Sequence, residues 1–398
     1  MRLIRLPLMA AAGLGAVAMG MPSPGSAQEG DPIIIGAAIA ESGFIAAYDV
    51  DPARAARIAI DEINEAGGVL GRPLQLITAD TRSEIPFGAV AAMEVLEAGA
   101  EFVIVTGDFD YGGAAARVAN EEGVIAISPF AADPQFGVQG IGPYAFTFAT
   151  ASDTVGTVLA EFATDQGWTT AYALTQTNIQ YDLSVSAAFQ ERFVALNGED
   201  ALLGTDTFSL DDASIAAHIT RIRALPQEPD MLLLSTFTPA GPSALRQIRA
   251  AGLTMPVLSG EDMDGAYWLD SVPGLSDFYF AAMGSVFGDD PREEVRDFIA
   301  EFERRHGTHP STAHTLTGYS VIQALARAIE RAGTTDSDAI REQFHSFEDE
   351  ALLVGPTSFD PETHINFARP LAIITVEDGA HRFIEMRAPE AVPSLRVR

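Results

Sequence analysis

Residues 33–78 decide the fold: they read IIIGAAI at 33–39, PARAARIAIDEINEAGG at 52–68 and LQLIT at 74–78. The first stretch is a short apolar run rich in β-branched residues, which is typical of a strand buried on both faces. The second has apolar residues at helical spacing, opens with a proline and ends at two glycines that suit a C-terminal cap. The third is the next strand. Strand, helix and strand in this order predict a βαβ crossover.

The same alternation continues to about residue 258. Further strands are predicted at 102–105, 124–127, 171–174, 205–208, 231–234 and 257–258. Helices are predicted at 87–97, 113–121, 153–165, 182–196, 214–225 and 239–251. Strands that alternate with helices of this length form parallel sheets through right-handed crossovers. We therefore predict an α/β fold of two doubly wound parallel-sheet lobes, the second beginning near Ala149.

The C-terminal part departs from this alternation. The pattern there predicts strands at 278–283, 371–376 and 382–385. It predicts helices at 292–305, 315–331 and 336–344. No linker rich in Pro, Gly or Ser separates the two series, so we expect the lobes to be joined by short crossing segments. Two such lobes that face each other form a cleft able to close on a ligand.

The N-terminus has the pattern of a secretory signal peptide. Arg2 and Arg5 precede an apolar run at 6–21, and small residues follow up to Ala27. The run is short for a membrane-spanning helix and is interrupted by Pro7. We expect residues 1–27 to be removed by cleavage near Ala27, a periplasmic location and no membrane insertion.

Composition narrows the function classes. The chain has no cysteine, so it offers no thiol for lipid attachment and no disulfide. Its formal net charge is −31, and such a surface repels nucleic acid and anionic lipid. We expect a monomer that binds no nucleic acid. The charge itself is interpreted as a means of solubility, with attraction of cationic ligands as the alternative.

Motifs for catalysis and cofactor binding are missing from the sequence. It contains no G-x-S-x-G elbow, no Walker A loop and no H-E-x-x-H. We therefore predict that the protein is not an enzyme and binds no cofactor.

Two groups of residues could in principle hold a metal. His306, His309 and His314 could share one, but they fall where a predicted helix ends, a place that favours histidine against the helix dipole. Asp108 opens a faint calcium-loop pattern, but Ala119 stands at position twelve, where a bidentate carboxylate is needed. We predict no metal site.

Acidic and aromatic residues follow two of the predicted strands. They are Asp108, Phe109, Asp110 and Tyr111 after strand 102–105, and Glu261, Asp262 and Asp264 after strand 257–258. Ligands of open parallel sheets lie beyond the carboxyl ends of the strands. If both loops face the cleft, their acids and rings suit an ammonium group. The alternative is that the acids are solvated or are helix N-caps, as Asp264 would be ahead of residues 266–269.

Three stretches carry a resemblance to a known family. They are IIIG at 33–36 with ESG at 41–43 and Tyr48, AIDEINEAGGVLGR at 59–72, and EGVIAISP at 122–129. They look like the periplasmic branched-chain amino acid (Leu/Ile/Val) binding proteins of ABC transporters, and the resemblance covers nearly all of the mature chain. It implies a type I periplasmic binding fold, in which two lobes joined by a three-segment hinge close on the ligand.

The same resemblance implies where the chain crosses between lobes. The crossings fall near Ala149, Phe280 and Pro356. Lobe 1 would comprise residues 31–149 and 281–355, and lobe 2 residues 150–280 and 356–398, with the ligand cleft between them.

Site residues also follow from the resemblance. In the family, hydroxyl-bearing and small residues of lobe 1 hold the α-carboxylate of the ligand; the matching positions here are Phe109, Phe130 and Ala132, which offer no hydroxyl. Tyr181, Phe237 and Glu261 match a tyrosine, a later aromatic residue and the ammonium-binding acid. With the acids above, the candidate ligand-binding residues are Tyr48, Asp108, Phe109, Asp110, Phe130, Ala131, Ala132, Tyr181, Phe237 and Glu261. Core packing is the alternative role of each aromatic residue.

The sequence thus predicts a periplasmic solute-binding protein of an ABC importer. Its ligand would be amino acid-like, an amine or an aromatic compound, and its partner an inner-membrane ABC permease. A ligand-sensing regulatory protein on the same fold is the alternative function, and an enzyme is the remoter one.

Overall fold

Two β-sheets organise the chain in a computed structural model that describes residues 30–212 and 214–393. The predicted signal peptide lies outside these residues. The strands of the first sheet are β1 (Ile33–Ile39), β2 (Leu74–Asp80), β3 (Phe102–Val105), β4 (Ala126–Ser128) and β5 (Ala145–Thr147). They are all parallel, in the order β2-β1-β3-β4-β5.

The second sheet has seven strands. The remaining strands of the described chain are β6 (Ala171–Gln176), β7 (Leu202–Phe208), β8 (Met231–Ser235), β9 (Val257–Ser259), β10 (Phe278–Ala282), β11 (Glu350–Leu352), β12 (Gly355–Thr357), β13 (Leu371–Glu377) and β14 (Ala380–Arg387). The order in the second sheet is β14-β13-β10-β9-β8-β6-β7. Strands β6 to β10 are parallel, whereas β13 and β14 add an antiparallel edge. Strands β11 and β12 form a separate hairpin.

Helices cover both sheets. They are α1 (Ala46–Glu65), α2 (Ile85–Glu97), α3 (Phe109–Glu121), α4 (Ser152–Asp165), α5 (Gln180–Asn197), α6 (Ala216–Arg223), α7 (Ala240–Ala250), α8 (Glu293–His306), α9 (His314–Ala332) and α10 (Ser337–His345). Helix α9 packs along α1, α2 along α3, and α4 along α5. The C-terminal helix α9 therefore belongs to the layer of the first sheet. In the described ranges, no helix combines the length and apolarity that a membrane crossing requires.

Central strands are buried along their whole length, as their continuous apolar runs predict. Strands β3, β4, β6, β8 and β9 have only buried residues, whereas the edge strands β7 and β14 alternate or are half-exposed. Apolar runs in the middle of a parallel sheet are covered by helices on both faces. The predicted α/β class with two doubly wound lobes is thereby confirmed.

Helix α1 begins six residues earlier than the sequence indicates. The predicted start was Pro52, which instead lies inside the helix. The buried Asp49 carboxylate accepts hydrogen bonds from the backbone N–H groups of Ala40 (2.8 Å) and Gly107 (3.2 Å). The Asp51 carboxylate accepts one from Ser311 (2.8 Å). These tertiary contacts hold the extra turns of α1, which local pattern could not reveal.

Helix α3 also starts earlier, at Phe109 rather than near residue 113. Asp108 is its N-cap, and its Oδ1 accepts a hydrogen bond from the Tyr111 N–H (3.1 Å). Position 112 of the helix requires glycine, because a Cβ there would lie 2.1 Å from the Thr106 carbonyl oxygen. The three-residue strands β5, β11 and β12 were not predicted.

Chain segments at the predicted hinge lie side by side. Thr150 and Asn366 form an isolated β-bridge. The fully buried Arg369 guanidinium donates to the carbonyl oxygens of Phe148 (2.6 Å) and Pro356 (3.1 Å) and so ties two of the segments together. Burial lowers the pKa of Arg369 to about 9. The lobe boundaries near residues 149, 280 and 356 stay a prediction.

Candidate functional site

A cavity of about 460 Å³, its open mouth included, lies between the two sheets. Its walls are Phe44, Ile45, Tyr48, Gly107, Asp108, Tyr111, Phe130, Ala132, Ile179, Tyr181, Phe237 and Asp262. Each of these residues follows the carboxyl end of a parallel strand: β1, β3 and β4 on one side, β6, β8 and β9 on the other. Both lobes therefore contribute to the site, at the edge where open α/β sheets bind ligands.

Six of the ten predicted site residues line this cavity. They are Tyr48, Asp108, Phe130, Ala132, Tyr181 and Phe237. Lining residues outside that prediction include Phe44 and Ile179. Phe44 lies just before the start of α1, and Ile179 is the N-cap of α5. Asp262 and Tyr111 belong to the acidic and aromatic runs noted in the sequence. That pattern of acids and rings after a strand is the signal by which the sequence could have identified them.

Two predicted site residues face away from the cavity. Phe109 begins α3, and its ring lies 5.6 Å below the Arg117 guanidinium, among the apolar residues between α2 and α3. Ala131 packs in the same apolar cluster, and its N–H donates to Ser128 Oγ (2.8 Å). Because α3 starts at Phe109, the side chains after β3 that line the cavity are Asp108 and Tyr111, whereas Phe109 is not among the lining residues.

The other two predicted residues lie beside the cavity. Asp110 Oδ2 accepts a hydrogen bond from the Gln180 N–H (2.8 Å), a contact from α3 to the first residue of α5. Glu261 is buried behind Tyr181, and its N–H donates to the Tyr181 hydroxyl (2.9 Å). Neither Glu261 carboxyl oxygen has a hydrogen-bond partner among the described residues.

Aromatic rings form most of the wall. Phe44 stacks on Phe237 from the opposite lobe, with ring centroids 6.2 Å apart, and meets Tyr111 edge-on at 5.6 Å. Tyr48 lies 6.4 Å from Phe130 and 6.1 Å from Tyr267. The faces of such rings carry negative partial charge, which attracts cations.

Two carboxylates face this aromatic enclosure, one from each lobe. Burial, followed by the charge of Asp110, raises the pKa of Asp108 to about 7. Burial and the charge of Asp108 raise the pKa of Asp262 well above its ordinary value. Among the described residues, the Asp262 carboxylate receives no hydrogen bond. No lining residue carries a basic side chain, so neither carboxyl group has a counter-charge in the wall when it is ionised.

Further acids lie behind the second-lobe wall. Asp182 is fully buried, and its Oδ2 has no partner within the described residues. Burial and the charge of Asp262 raise its pKa. For Glu261, burial and the charges of Asp262 and Asp264 raise the pKa, and Arg369 opposes the rise.

Hydrogen bonds close the cleft across the two lobes. Tyr48 on α1 donates to the carbonyl oxygen of Asp262 (2.9 Å) and accepts from the Thr238 hydroxyl (3.0 Å). The Ser184 hydroxyl of α5 donates to Asp133 Oδ2 (2.6 Å). With the Asp110 contact, these bonds hold the lobes in a closed arrangement.

Asp264 does not cap residues 266–269. Its Oδ2 accepts a hydrogen bond from the Ala313 N–H (2.6 Å) at the start of α9, and a 3₁₀ turn forms only at Leu269–Ser271. The predicted capping role is therefore wrong, and the carboxylate adds another contact between the lobes. Its burial raises the pKa of Asp264 to about 7.

The three histidines considered for a metal lie in different surroundings. His306 ends α8, His309 bonds to Glu303 (2.5 Å), and His314 stacks on Phe130 with ring centroids 4.0 Å apart. Throughout residues 30–212 and 214–393, no three acidic or histidine side chains are grouped as metal ligands would be.

Two doubly wound lobes that enclose a cavity at the carboxyl ends of their strands define a class of protein: a two-lobed binding protein that closes on a small molecule. The profile of the family described as "Periplasmic binding protein" matches residues 32–380. The chain belongs to this family, and as a member it is a solute-binding protein.

Individual relatives agree with that assignment. Leu/Ile/Val-binding protein homolog 1 from Brucella abortus is 25% identical over 335 residues, which cover 82% of this chain and 86% of the relative. An amino acid binding protein from Pseudomonas aeruginosa is 27% identical over 307 residues, covering 76% and 80%. The sequence-based resemblance to the branched-chain amino acid binding proteins is thus confirmed.

Solved structures share the fold. The branched-chain amino acid transporter substrate binding protein LivJ from Streptococcus pneumoniae, in complex with isoleucine, superposes with a TM-score of 0.79 at 21% identity, covering 90% of this chain and 100% of that one. A solute binding protein from Rhodopseudomonas palustris, in complex with benzoate, gives a TM-score of 0.75 at 18% identity, covering 91% and 98%. These likenesses support the type I periplasmic binding fold.

Proposed function

We propose that this chain is the periplasmic solute-binding component of an ABC importer. It captures a small organic ligand between its lobes and presents the closed complex to an inner-membrane permease. It acts as a monomer and without catalysis, since recognition by the permease requires only the closed shape.

One observation carries the proposal: the cavity is half built by each lobe and is sealed by hydrogen bonds between them. Asp262 contributes both to the wall and, through its carbonyl oxygen, to the bond with Tyr48. A ligand in this cavity touches both lobes at once. Its binding therefore favours the closed arrangement by the difference in its affinity for the closed and open forms.

Location and partner follow from the family and from the N-terminal pattern. The family is described as periplasmic, and Arg2, Arg5 and the apolar run 6–21 have the pattern of an export signal. One relative is named an amino acid binding protein, another is named a homolog of a Leu/Ile/Val-binding protein, and one structural neighbour holds benzoate. Amino acids, amines and aromatic acids are thus the first ligand classes to examine.

A thermal-shift screen of those three classes on the mature chain tests the function. A ligand bound one per chain stabilises the folded state by RT ln(1 + [L]/Kd), which is about 4 kcal/mol for a micromolar binder at 1 mM. We expect a hit to reduce the radius of gyration in small-angle X-ray scattering and to be recovered unchanged. Recovery of a chemically altered compound would contradict the proposal, as would the absence of stabilisation by every class.

A further inference from the structure

Within that proposed function, we propose that the cleft holds a small organic ammonium cation that has no carboxylate, with its charge between Asp108 and Asp262. The inference rests on the proposed function and specifies its ligand. Four features of the cavity support it.

The first feature is the set of charged groups in the wall. Asp108 comes from the first lobe and Asp262 from the second, and no lining residue is basic. His314 lies behind Phe130, but burial lowers its pKa to about 3, so it remains neutral. A ligand carboxylate would find no basic side chain in the wall, whereas a ligand ammonium would find two carboxyl groups able to accept its hydrogen bonds.

The second feature concerns three backbone donors in or next to the first-lobe wall, which are already bonded within the protein. The Gly107 N–H donates to Asp49 (3.2 Å), the Tyr111 N–H to Asp108 (3.1 Å) and the Ala131 N–H to Ser128 (2.8 Å). The N-terminus of α3, which would otherwise attract an anion, is neutralised by its own cap. At the N-terminus of α3, an α-carboxylate would therefore compete with bonds that the protein already makes.

The third feature is the enclosure of aromatic rings. Phe44 and Phe237 come from opposite lobes and meet at 6.2 Å, so closure brings ring faces around the ligand from two sides. Tyr48, Tyr111, Phe130 and Tyr181 complete the set. Rings that enclose a desolvated cation attract it through their negative faces, and they recognise alkylated ammonium groups especially well.

The fourth feature is independent of the cavity walls. Glu261 and Asp182 are both at least 99% buried, and among the described residues neither Glu261 oxygen nor Asp182 Oδ2 has a hydrogen-bond partner. Buried carboxylates without partners are costly. A cation held against Asp262 and Tyr181 offsets this cost through its field, because both buried acids interact electrostatically with Asp262.

Matched probe pairs test the inference by isothermal titration calorimetry on the mature chain. 3-Methylbutylamine is leucine without its carboxylate, and 3,3-dimethylbutan-1-ol is the neutral isostere of choline. The pairs are 3-methylbutylamine with leucine and choline with 3,3-dimethylbutan-1-ol. We expect at least one of the two cations to bind one per chain, about tenfold or more tighter than its partner. Leucine adds a carboxylate for which the wall has no basic partner, and the neutral alcohol loses the attraction of the positive charge to the acids and ring faces.

Variants locate the charge. Asp262→Asn and Asp108→Asn should each weaken binding of the cationic probe about tenfold or more. They should leave binding of the neutral isostere within about twofold, which a merely structural defect would not do. Asp270→Asn removes an exposed acid on the same second-lobe segment and outside the cavity, so it serves as the matched control.

The outcomes separate the two proposals. If leucine or benzoate binds one per chain and both cations fail, the ammonium inference is overturned while the solute-binding function stands. If no compound of any class binds, both are overturned. Equal weakening of the cation by Asp270→Asn and Asp262→Asn would also overturn the assignment of the charge to the cleft.

Discussion

Removing the carboxylate of Asp108 should make the unliganded protein more stable at alkaline pH and leave it unchanged at acid pH. Burial and the charge of Asp110 raise the pKa of Asp108 from 3.8 to about 7 in the folded protein. Between about pH 4 and pH 7 the folded state therefore holds a proton that the unfolded state releases. Because the folded state binds more protons in this window, the free energy of unfolding falls as pH rises and levels off above about pH 7.

The magnitude follows from the size of the shift. Each pKa unit corresponds to about 1.4 kcal/mol, so a shift from 3.8 to about 7 gives an upper limit of about 4 kcal/mol. Asp108 keeps some contact with the open cavity, which reduces the expected effect to about 2 kcal/mol. Other acids interact with it or share the region, namely Asp110, Asp133, Asp182 and Asp262. Removing the Asp108 charge relieves their repulsion too and acts in the same direction.

Urea unfolding of the wild type and of Asp108→Asn between pH 4 and pH 8 measures this effect. Asparagine caps a helix about as well as aspartate, so the α3 cap is kept. Asp336→Asn is the matched control, since Asp336 caps α10 with the same 3.1 Å bond but is exposed. We expect the stability difference for Asp108→Asn to grow by about 2 kcal/mol from pH 4 to pH 8 and that for Asp336→Asn to stay constant. A constant difference for Asp108→Asn would refute the reasoning.

Three further changes test other parts of the structure. Tyr48→Phe keeps the ring but loses both hydrogen bonds across the cleft, so calorimetry should show about 5- to 100-fold weaker ligand binding. The control Tyr319→Phe removes a hydroxyl remote from the cleft and should bind the ligand as the wild type does. Gly318→Ala would place a Cβ 2.2 Å from the Pro52 carbonyl oxygen between α1 and α9. Thermal unfolding should show a loss of about 2 kcal/mol or more in the free energy of unfolding, and unchanged stability would contradict that packing. Arg369→Met removes the guanidinium that ties the hinge segments, so urea unfolding should show a loss of about 3 kcal/mol, and retention of full stability would disprove its role as a tie.

Local pattern was sufficient for the central elements of the fold. Strands 33–39 and 102–105 were predicted at their observed bounds, because continuous apolar runs are the signature of the middle of a parallel sheet. The start of α1 was missed because distant groups hold its first turns: Ala40 and Gly107 bind Asp49, and Ser311 binds Asp51. No sequence window contains that information.

The site could likewise be predicted only in part, because local pattern identifies the loops but not the side chains that face the cavity. The rule that ligands lie beyond strand ends selected loops that line the cavity, and Asp108, Tyr181 and Phe237 lie in its wall. Which residue of a loop faces the cavity depends on where the next helix begins. Helix α3 starts at Phe109, so Asp108 lines the cavity and Phe109, predicted alongside it, does not; the 3₁₀ turn at Glu261–Met263 places Asp262 in the wall with Glu261 behind it.

A crystal structure of the mature chain grown with the tighter of the two cationic probes tests the central claim most directly. We predict one probe molecule between the lobes, with its nitrogen within about 4 Å of the carboxylates of Asp108 and Asp262 or of the enclosing rings. A probe bound outside the cleft, or a nitrogen directed away from both acids with the lobes open, would contradict capture of an ammonium cation by closure.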